Sequence, residues 1–292
     1  MIYYRQFLFV LFACLFVQQI CSQNLDYVSI ANQYLERQEY TKAFEYMKKG
    51  ALEGSVGAQC NLGSFYAQGI GTPKNFNAAI EWWKKAAEQG HAISMYYIAT
   101  SYLDGNNGIP VDKTTALYWL TKSSDYGNTE AKLALVNFYI KGDGIAKDIN
   151  KAVTMLKQII DSPNCLIETK TNAVLQLAAL YQDEESVRDY AKSHELWLQA
   201  AKAGNVLGMY MAGMDYIQGR GVEKNVEQSL EWIQLGADLG HPECQFQLHL
   251  YYKLGIGVEK DENKAKDLFN KANKGGSIRA LKLLMDMYGE KK

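Results

Sequence analysis

Residues 55–90, SVGAQCNLGSFYAQGIGTPKNFNAAIEWWKKAAEQG, contain two helical patterns joined by a glycine turn. Small and apolar residues recur every three to four positions in the first half, and alanines and tryptophans repeat that spacing in the second. Gly69-Ile70-Gly71 separates the two patterns, because glycine reaches positive φ without a steric penalty. The stretch therefore predicts a helix–turn–helix unit whose second helix is capped by Asn75.

Tyrosines mark one position of this unit along the whole chain. Eight of them lie 35 to 37 residues apart, except for one gap of 32 and one of 42: Tyr34, Tyr66, Tyr102, Tyr139, Tyr181, Tyr216, Tyr252 and Tyr288. A fixed period of this length indicates stacked copies of one supersecondary unit. A single helix pair cannot bury its own apolar stripe, so neighbouring copies must pack together. The predicted fold class is all-α, a right-handed α/α superhelical solenoid of about seven helix–turn–helix copies plus a capping helix.

Closing glycines place the boundaries between copies. We expect one repeat domain over residues 23–292, divided at about 27–54, 55–90, 91–127, 128–164, 165–204, 205–240, 241–276 and a cap at 277–288. Two copies depart from the pattern. The first has the tight turn 36–39 instead of Gly-x-Gly, and in the fifth Asp183-Glu184-Glu185 replaces the glycines. The extra residues of the fifth copy predict a local change of superhelical path around 160–190.

These motifs resemble the Sel-1-like repeat family of α/α solenoids, which is related to tetratricopeptide repeats. The family pattern A-x-x-x-L-G-x-x-Y-x-x-G-x-G, followed by a second helix with A-x-x-W-x-x-x-A-A-x-x-G, is matched here by Ala58, Leu62, Gly63, Tyr66, Gly69, Gly71, Ala79, Trp82, Trp83, Ala86, Ala87 and Gly90. The resemblance covers about residues 27–288. It implies a non-enzymatic adaptor whose first helices line a concave surface that holds a protein or peptide partner.

The resemblance also implies which side chains face that partner. In each first helix, the side chains that lie between the repeated buried positions should point into the concave surface. These candidate partner-binding residues mix amides, an aromatic ring and apolar side chains: Asn61, Tyr97, Thr100, Asn137, Gln176, Met211, Met214, Gln247 and Leu250. Amides can meet a peptide backbone and methionines adapt to its shape. Met211 and Met214 serve equally well as packing residues, because small Ala212 and Gly213 lie beside them.

The composition and motifs argue against several other functions. Lys plus Arg number 31 and Asp plus Glu 32, so the chain lacks the basic excess of a nucleic-acid-binding protein. His-Glu-x-x-His, Gly-x-Ser-x-Gly, Ser-x-x-Lys and P-loop motifs are all absent from the sequence. We therefore expect no enzymatic activity, no catalytic residue, no cofactor and no metal. His91 and His241 suit helix starts, and His249 replaces the glycine of other copies as a packing or groove residue.

The N-terminus predicts export. Arg5 precedes an apolar run at 7–17, which at about 1.5 Å per residue is too short to cross about 30 Å of hydrocarbon. A polar end near Ser22 completes the pattern of a signal peptide over 1–22. An uncleaved anchor and a lipoprotein box at 11–14 are the alternatives. We expect a secreted or periplasmic monomer with no stable membrane span after cleavage.

Three cysteines, Cys60, Cys165 and Cys244, remain after cleavage, and the sequence does not choose a disulfide pair among them. The main functional hypothesis is an exported non-enzymatic scaffold that binds a protein or peptide on its concave face. The rival is a secreted β-lactam-binding or weakly hydrolytic Sel-1-like protein, although the regular cysteine pairs of those relatives are missing. Self-association through the cap at 277–288 is a third possibility.

Overall fold

The computed structural model describes residues 27–105, 108–163 and 165–289. Throughout these ranges the regular structure is helical and no strand occurs, so the predicted all-α class is confirmed. The chain forms two compact units, the first ending at Lys147 and the second beginning at Asp148. The expectation of one repeat domain over 23–292 stays a prediction, and the predicted signal peptide lies outside the described residues.

In its described residues, the first compact unit contains seven helices in three and a half copies of the repeat. They are α1 (27–36), α2 (Tyr40–Leu52), α3 (Val56–Gln68), α4 (Phe76–Glu88), α5 (Ala92–Asp104), α6 (Lys113–Asp125) and α7 (Thr129–Lys141). Within this unit, each helix from α2 to α6 packs on the one that follows it. The tight turn predicted at 36–39 is present, with Gln38 at φ 60°.

The second compact unit begins with the second helix of a copy and contains eight helices. They are α8 (Ile149–Asp161), α9 (Ile167–Asp183), α10 (Tyr190–Lys202), α11 (Val206–Gln218), α12 (Val226–Asp238), α13 (Pro242–Leu254), α14 (Glu262–Lys274) and α15 (Ile278–Gly289). Each packs on its successor. The irregular fifth copy has a 17-residue α9, followed by a 3₁₀ turn at Glu185–Val187 where other copies have glycines.

Side chains preceding the helices fix where they start. The Asn75 carboxamide oxygen accepts a hydrogen bond from the Ala78 backbone N–H at 3.0 Å, as its cap position predicts. His91 and His241 do the same with Nδ1, accepting from Ser94 N–H at 3.3 Å and Cys244 N–H at 3.4 Å. Burial lowers the pKa of both imidazoles, which favours the neutral form that such an acceptor needs.

Pairing of small with large residues brings the two helices of a copy together. A Cβ at Gly63 would overlap the indole ring of Trp83, which is 5% exposed. The Trp83 indole N–H donates to the Cys60 carbonyl at 3.1 Å, so its one polar atom is satisfied inside the core. Burial of a large aromatic side chain contributes roughly 2–3 kcal/mol before the entropy of ordering is subtracted.

Cys60, Cys165 and Cys244, the cysteines of the described residues, are free thiols. Cys244 is fully buried in the α12–α13 core, at the helix position where α3 and α7 carry Ala58 and Ala131. Burial raises the pKa of its thiol to about 12. Cys244 is therefore a protonated packing residue at neutral pH.

Candidate partner-binding surface

Equivalent positions of the first helices form the candidate surface in the first compact unit. Asn61 of α3 and Tyr97 of α5 occupy the sixth position of their 13-residue helices, and Thr100 and Asn137 occupy the ninth. Asn61 and Asn137 are exposed, whereas Tyr97 and Thr100 are half-buried. All four predicted residues of this unit therefore reach the surface.

The Tyr97 ring lies against two other aromatic rings. Its ring centroid lies 5.2 Å from that of Trp83 and 6.3 Å from that of Tyr96. The Thr100 and Ser101 hydroxyls both donate to the Tyr97 carbonyl, at 3.1 and 2.8 Å. Burial raises the pKa of the Tyr97 phenol, so it stays a protonated donor at neutral pH. Rigid aromatic anchors of this kind lose little entropy when a partner binds.

A cavity of about 220 Å³ adjoins the exposed side of α7. It is lined by Ala134, Asn137, Phe138, Lys141 and Asp143. Lys113 donates to both carboxylate oxygens of Asp143, at 2.8 and 2.9 Å. Lys141 makes no ion pair with any residue of the described ranges, so this cavity offers an available cation beside an amide and an aromatic ring. An acidic or polar side chain of a bound peptide would suit it.

Phe138 and Asp143 were not predicted as part of the candidate surface. The position of Phe138 corresponds to that of Phe65, which lies in the core, and Asp143 lies inside a glycine turn. Asp143 could have been suspected from the charge at a turn that otherwise carries isoleucine or arginine. The exposure of Phe138 depends on how α6 and α7 pack, which local sequence does not encode.

The predicted residues of the second compact unit are more covered. Gln176, Met211, Met214 and Leu250 are half-buried. Met211 packs against the cluster of Ala178, Trp197 and Ala212. It therefore serves as a packing residue, which was one of the two roles that the sequence left open. Leu250 similarly packs against the cluster around Phe246. The Gln176 carboxamide oxygen is buried and has no hydrogen-bond partner among the described residues.

Gln247 is placed differently from the open position expected for it. It is 7% exposed, and its carboxamide oxygen accepts from the Arg279 guanidinium at 2.9 Å. The same Arg279 nitrogen also donates to the Tyr210 hydroxyl at 3.3 Å, and the guanidinium lies 4.9 Å from the Phe246 ring centroid. Arg279 of α15 therefore covers Gln247 and joins the first helices of three successive copies.

Two further properties of the described ranges concern membranes and metals. None of the helices combines the length and apolar composition that crossing a bilayer requires. Within the same ranges, no three His, Cys, Asp or Glu side chains cluster closely enough to hold a metal ion.

Comparison with solved structures supports the same fold. A protective antigen present in uropathogenic Escherichia coli strains, which displays an SLR fold, matches with a TM-score of 0.78 and 25% identity, covering 91% of this chain and 57% of that one. A Sel1 repeat protein from Oxalobacter formigenes matches with a TM-score of 0.65 and 22% identity, covering 85% and 96%.

Several curated relatives are named as regulators or assembly factors. The chitin synthase regulator SKT5 of Saccharomyces cerevisiae is 24% identical over 263 residues, which is 86% of this chain but 37% of that protein. This chain covers 27% of chitin synthase regulatory factor 3 of Schizosaccharomyces pombe, so it spans about a third of these two relatives. Cytochrome c oxidase assembly factor 7 of Xenopus tropicalis is 25% identical, over 82% of this chain and 86% of that protein.

The Sel1 repeat family model matches seven segments of the sequence, at residues 33–55, 56–91, 92–128, 130–163, 171–205, 206–241 and 242–277. Proteins built from Sel1 repeats are generally adaptors for protein interactions. The glycine turns, the small-residue columns and the paired helices described above are thus those of a known repeat, and this chain belongs to the Sel1 repeat family.

Proposed function

We propose that this chain is an exported, non-enzymatic scaffold that binds an extended segment of another protein. The segment would lie on the surface of the first helices that carries Asn61, Tyr97, Thr100 and Asn137, which we call the first-helix surface. The proposal rests on two features of successive first helices in the first compact unit: the packed Tyr97 ring on α5 and the cavity beside Asn137 and Lys141 on α7. An extended peptide can contact all three kinds of group: a packed aromatic ring, an exposed amide and an unpaired cation.

The family supports the non-enzymatic part of the proposal. Relatives are named as a regulator of chitin synthase and as an assembly factor of cytochrome c oxidase, and Sel1 repeats generally serve as adaptors. Export rests on the apolar run at 7–17 and the polar end near Ser22. The unpaired Lys141 favours a partner segment with an acidic side chain, since opposite charges attract across a partly buried interface.

Photo-crosslinking from single positions tests where the partner binds. A benzoylphenylalanine at position 97 keeps an aromatic ring on Trp83, and one at position 81, an exposed site on α4, is the matched control. We expect one defined protein to be trapped from position 97 with a yield about tenfold above that from position 81, because only the first ring faces the partner. Trapped proteins are identified by mass spectrometry. Equal yields from both positions would remove the first-helix surface from the proposal.

A further inference from the structure

A second cavity lies in the second compact unit, whereas the residues proposed to bind a protein belong to the first. It has a volume of about 350 Å³, within the range of small-molecule sites. Side chains of α13, α14 and α15 line it: His249, Lys253, Glu262, Asn263, Ala265, Lys266, Phe269 and Leu283. All these residues belong to the second compact unit.

His249 is the unusual residue of this cavity. It occupies the helix position of Gly63 and Gly213, where the absence of a side chain admits Trp83 or Ile233 from the facing helix. An imidazole fills that space in the seventh copy. The residue is 6% exposed, and its ring centroid lies 5.2 Å from that of Phe269. Packing of the repeat does not require a polar ring at this position, since glycine serves there in other copies.

The two nitrogens of His249 have different environments. Nδ1 lies 2.8 Å from the Ala265 carbonyl oxygen, which can only accept, so Nδ1 carries the proton. Burial lowers the pKa of the imidazole, which keeps the ring neutral and leaves Nε2 as an acceptor. Nε2 is buried and has no hydrogen-bond partner among the described residues. Buried polar atoms are rarely left unpaired, so either a water molecule or the donor group of a ligand would satisfy Nε2.

Charged side chains surround the cavity. Lys253, Lys266 and Glu262 line it and are exposed, and none of them forms an ion pair with a described residue. Two cations and one anion give this rim a net charge of one positive. A ligand with one negative charge is therefore better matched than a dianion or a neutral molecule. Phe269, Leu283 and Ala265 supply the apolar wall that a ring would contact.

We propose that this cavity binds a small aromatic monocarboxylic acid that carries a hydroxyl group. The ring packs against Phe269 and Leu283, the hydroxyl donates a hydrogen bond to His249 Nε2, and the carboxylate pairs with Lys253 and Lys266. Such a ligand satisfies the buried acceptor and neutralises the rim in one molecule. The cavity is lined only by residues of the second compact unit, and the probes bind it without a protein partner, so its test does not depend on the proposed function.

Isothermal titration calorimetry of the full chain with three probes tests this site. 4-Hydroxyphenylacetate has the ring, the hydroxyl and the carboxylate, phenylacetate lacks the hydroxyl, and 4-hydroxybenzyl alcohol lacks the carboxylate. We expect a Kd of about 1 mM for the first, in line with the affinity of ligands of its size. Each of the other two is expected to bind about tenfold more weakly, since each leaves one polar group of the cavity without a partner.

Variants assign the contacts. Lys253→Gln with Lys266→Gln should weaken 4-hydroxyphenylacetate binding about tenfold and leave 4-hydroxybenzyl alcohol unaffected. Lys274→Gln, an exposed change elsewhere on α14, is the matched control and should change neither. His249→Phe should make 4-hydroxyphenylacetate and phenylacetate bind equally. The lysine variants keep the test decisive if His249→Phe unfolds. No saturation by 4-hydroxyphenylacetate below about 20 mM, or equal binding of all three probes to the unaltered chain, would overturn the proposal.

Discussion

Gly71→Ala is expected to lower the free energy of unfolding of the first compact unit by about 3 kcal/mol or more. Gly71 has a φ of 66°, which a side chain disfavours. An added Cβ would also collide with the Tyr40 carbonyl group and approach the Cβ of Phe44. Tyr40 begins α2, so the turn of one copy rests on the backbone of the preceding copy. Because backbone atoms cannot move aside cheaply, the two copies would have to separate.

Gly54→Ala is the matched control in the same compact unit. Gly54 has a φ of 93°, but a Cβ there meets no atom within 4 Å, so only the backbone strain applies. We expect a loss of about 1 kcal/mol. Urea unfolding followed by far-ultraviolet circular dichroism measures both variants. Equal losses would show that the contact between the turn and α2 contributes nothing to stability.

Asp215→Asn is expected to destabilise the second compact unit by about 3 kcal/mol, the lower end of the cost of breaking a buried ion pair. Asp215 is 2% exposed. One carboxylate oxygen lies 3.1 Å from an Arg220 guanidinium nitrogen and the other lies 3.4 Å from His194 Nδ1. The pair connects α10, α11 and the glycine turn after α11. The neutral amide leaves the partly buried guanidinium of Arg220 without a counter-charge.

Asp267→Asn provides the comparison for an exposed ion pair. Asp267 lies 2.7 Å from Lys271 on α14, and both side chains are about 60% exposed. Solvent screens such a pair, so the expected loss is below about 0.5 kcal/mol. Thermal and urea unfolding of the two variants give the difference. If Asp215→Asn costs no more than Asp267→Asn, the buried network is not a source of stability.

Most of the fold could be predicted from local patterns in the sequence. The 3.6-residue spacing of small and large residues gives the helices, and paired glycines give left-handed positions such as Gly69 and Gly71. The pairing of Gly63 with Trp83 follows from the same pattern, because the missing side chain of Gly63 leaves the space that the Trp83 ring occupies. These features depend on residues a few positions apart or on a period that the whole chain repeats.

Contacts between copies were not predictable in the same way. Arg279 covers Gln247 across 32 residues, and the sequence offers no local sign of that hydrogen bond. In the sequence nothing distinguishes Asp215 from the other acidic residues. Only the fold buries it beside Arg220 and His194. The cavity at His249 depends on how α13, α14 and α15 pack around one enlarged side chain. Such details follow from the rotamers of several helices together, which no single repeat motif encodes.

Affinity measurements show whether the first-helix surface of the first compact unit binds a protein. The partner trapped from position 97 is titrated against the unaltered chain, Asn137→Arg and Asn77→Arg. Asn137 lines the cavity on α7 and Asn77 is exposed on α4, so the two variants make the same chemical change on different helices. We expect binding to be at least about tenfold weaker for Asn137→Arg and unchanged for Asn77→Arg. Equal affinities for both variants would rule out this surface as the binding site.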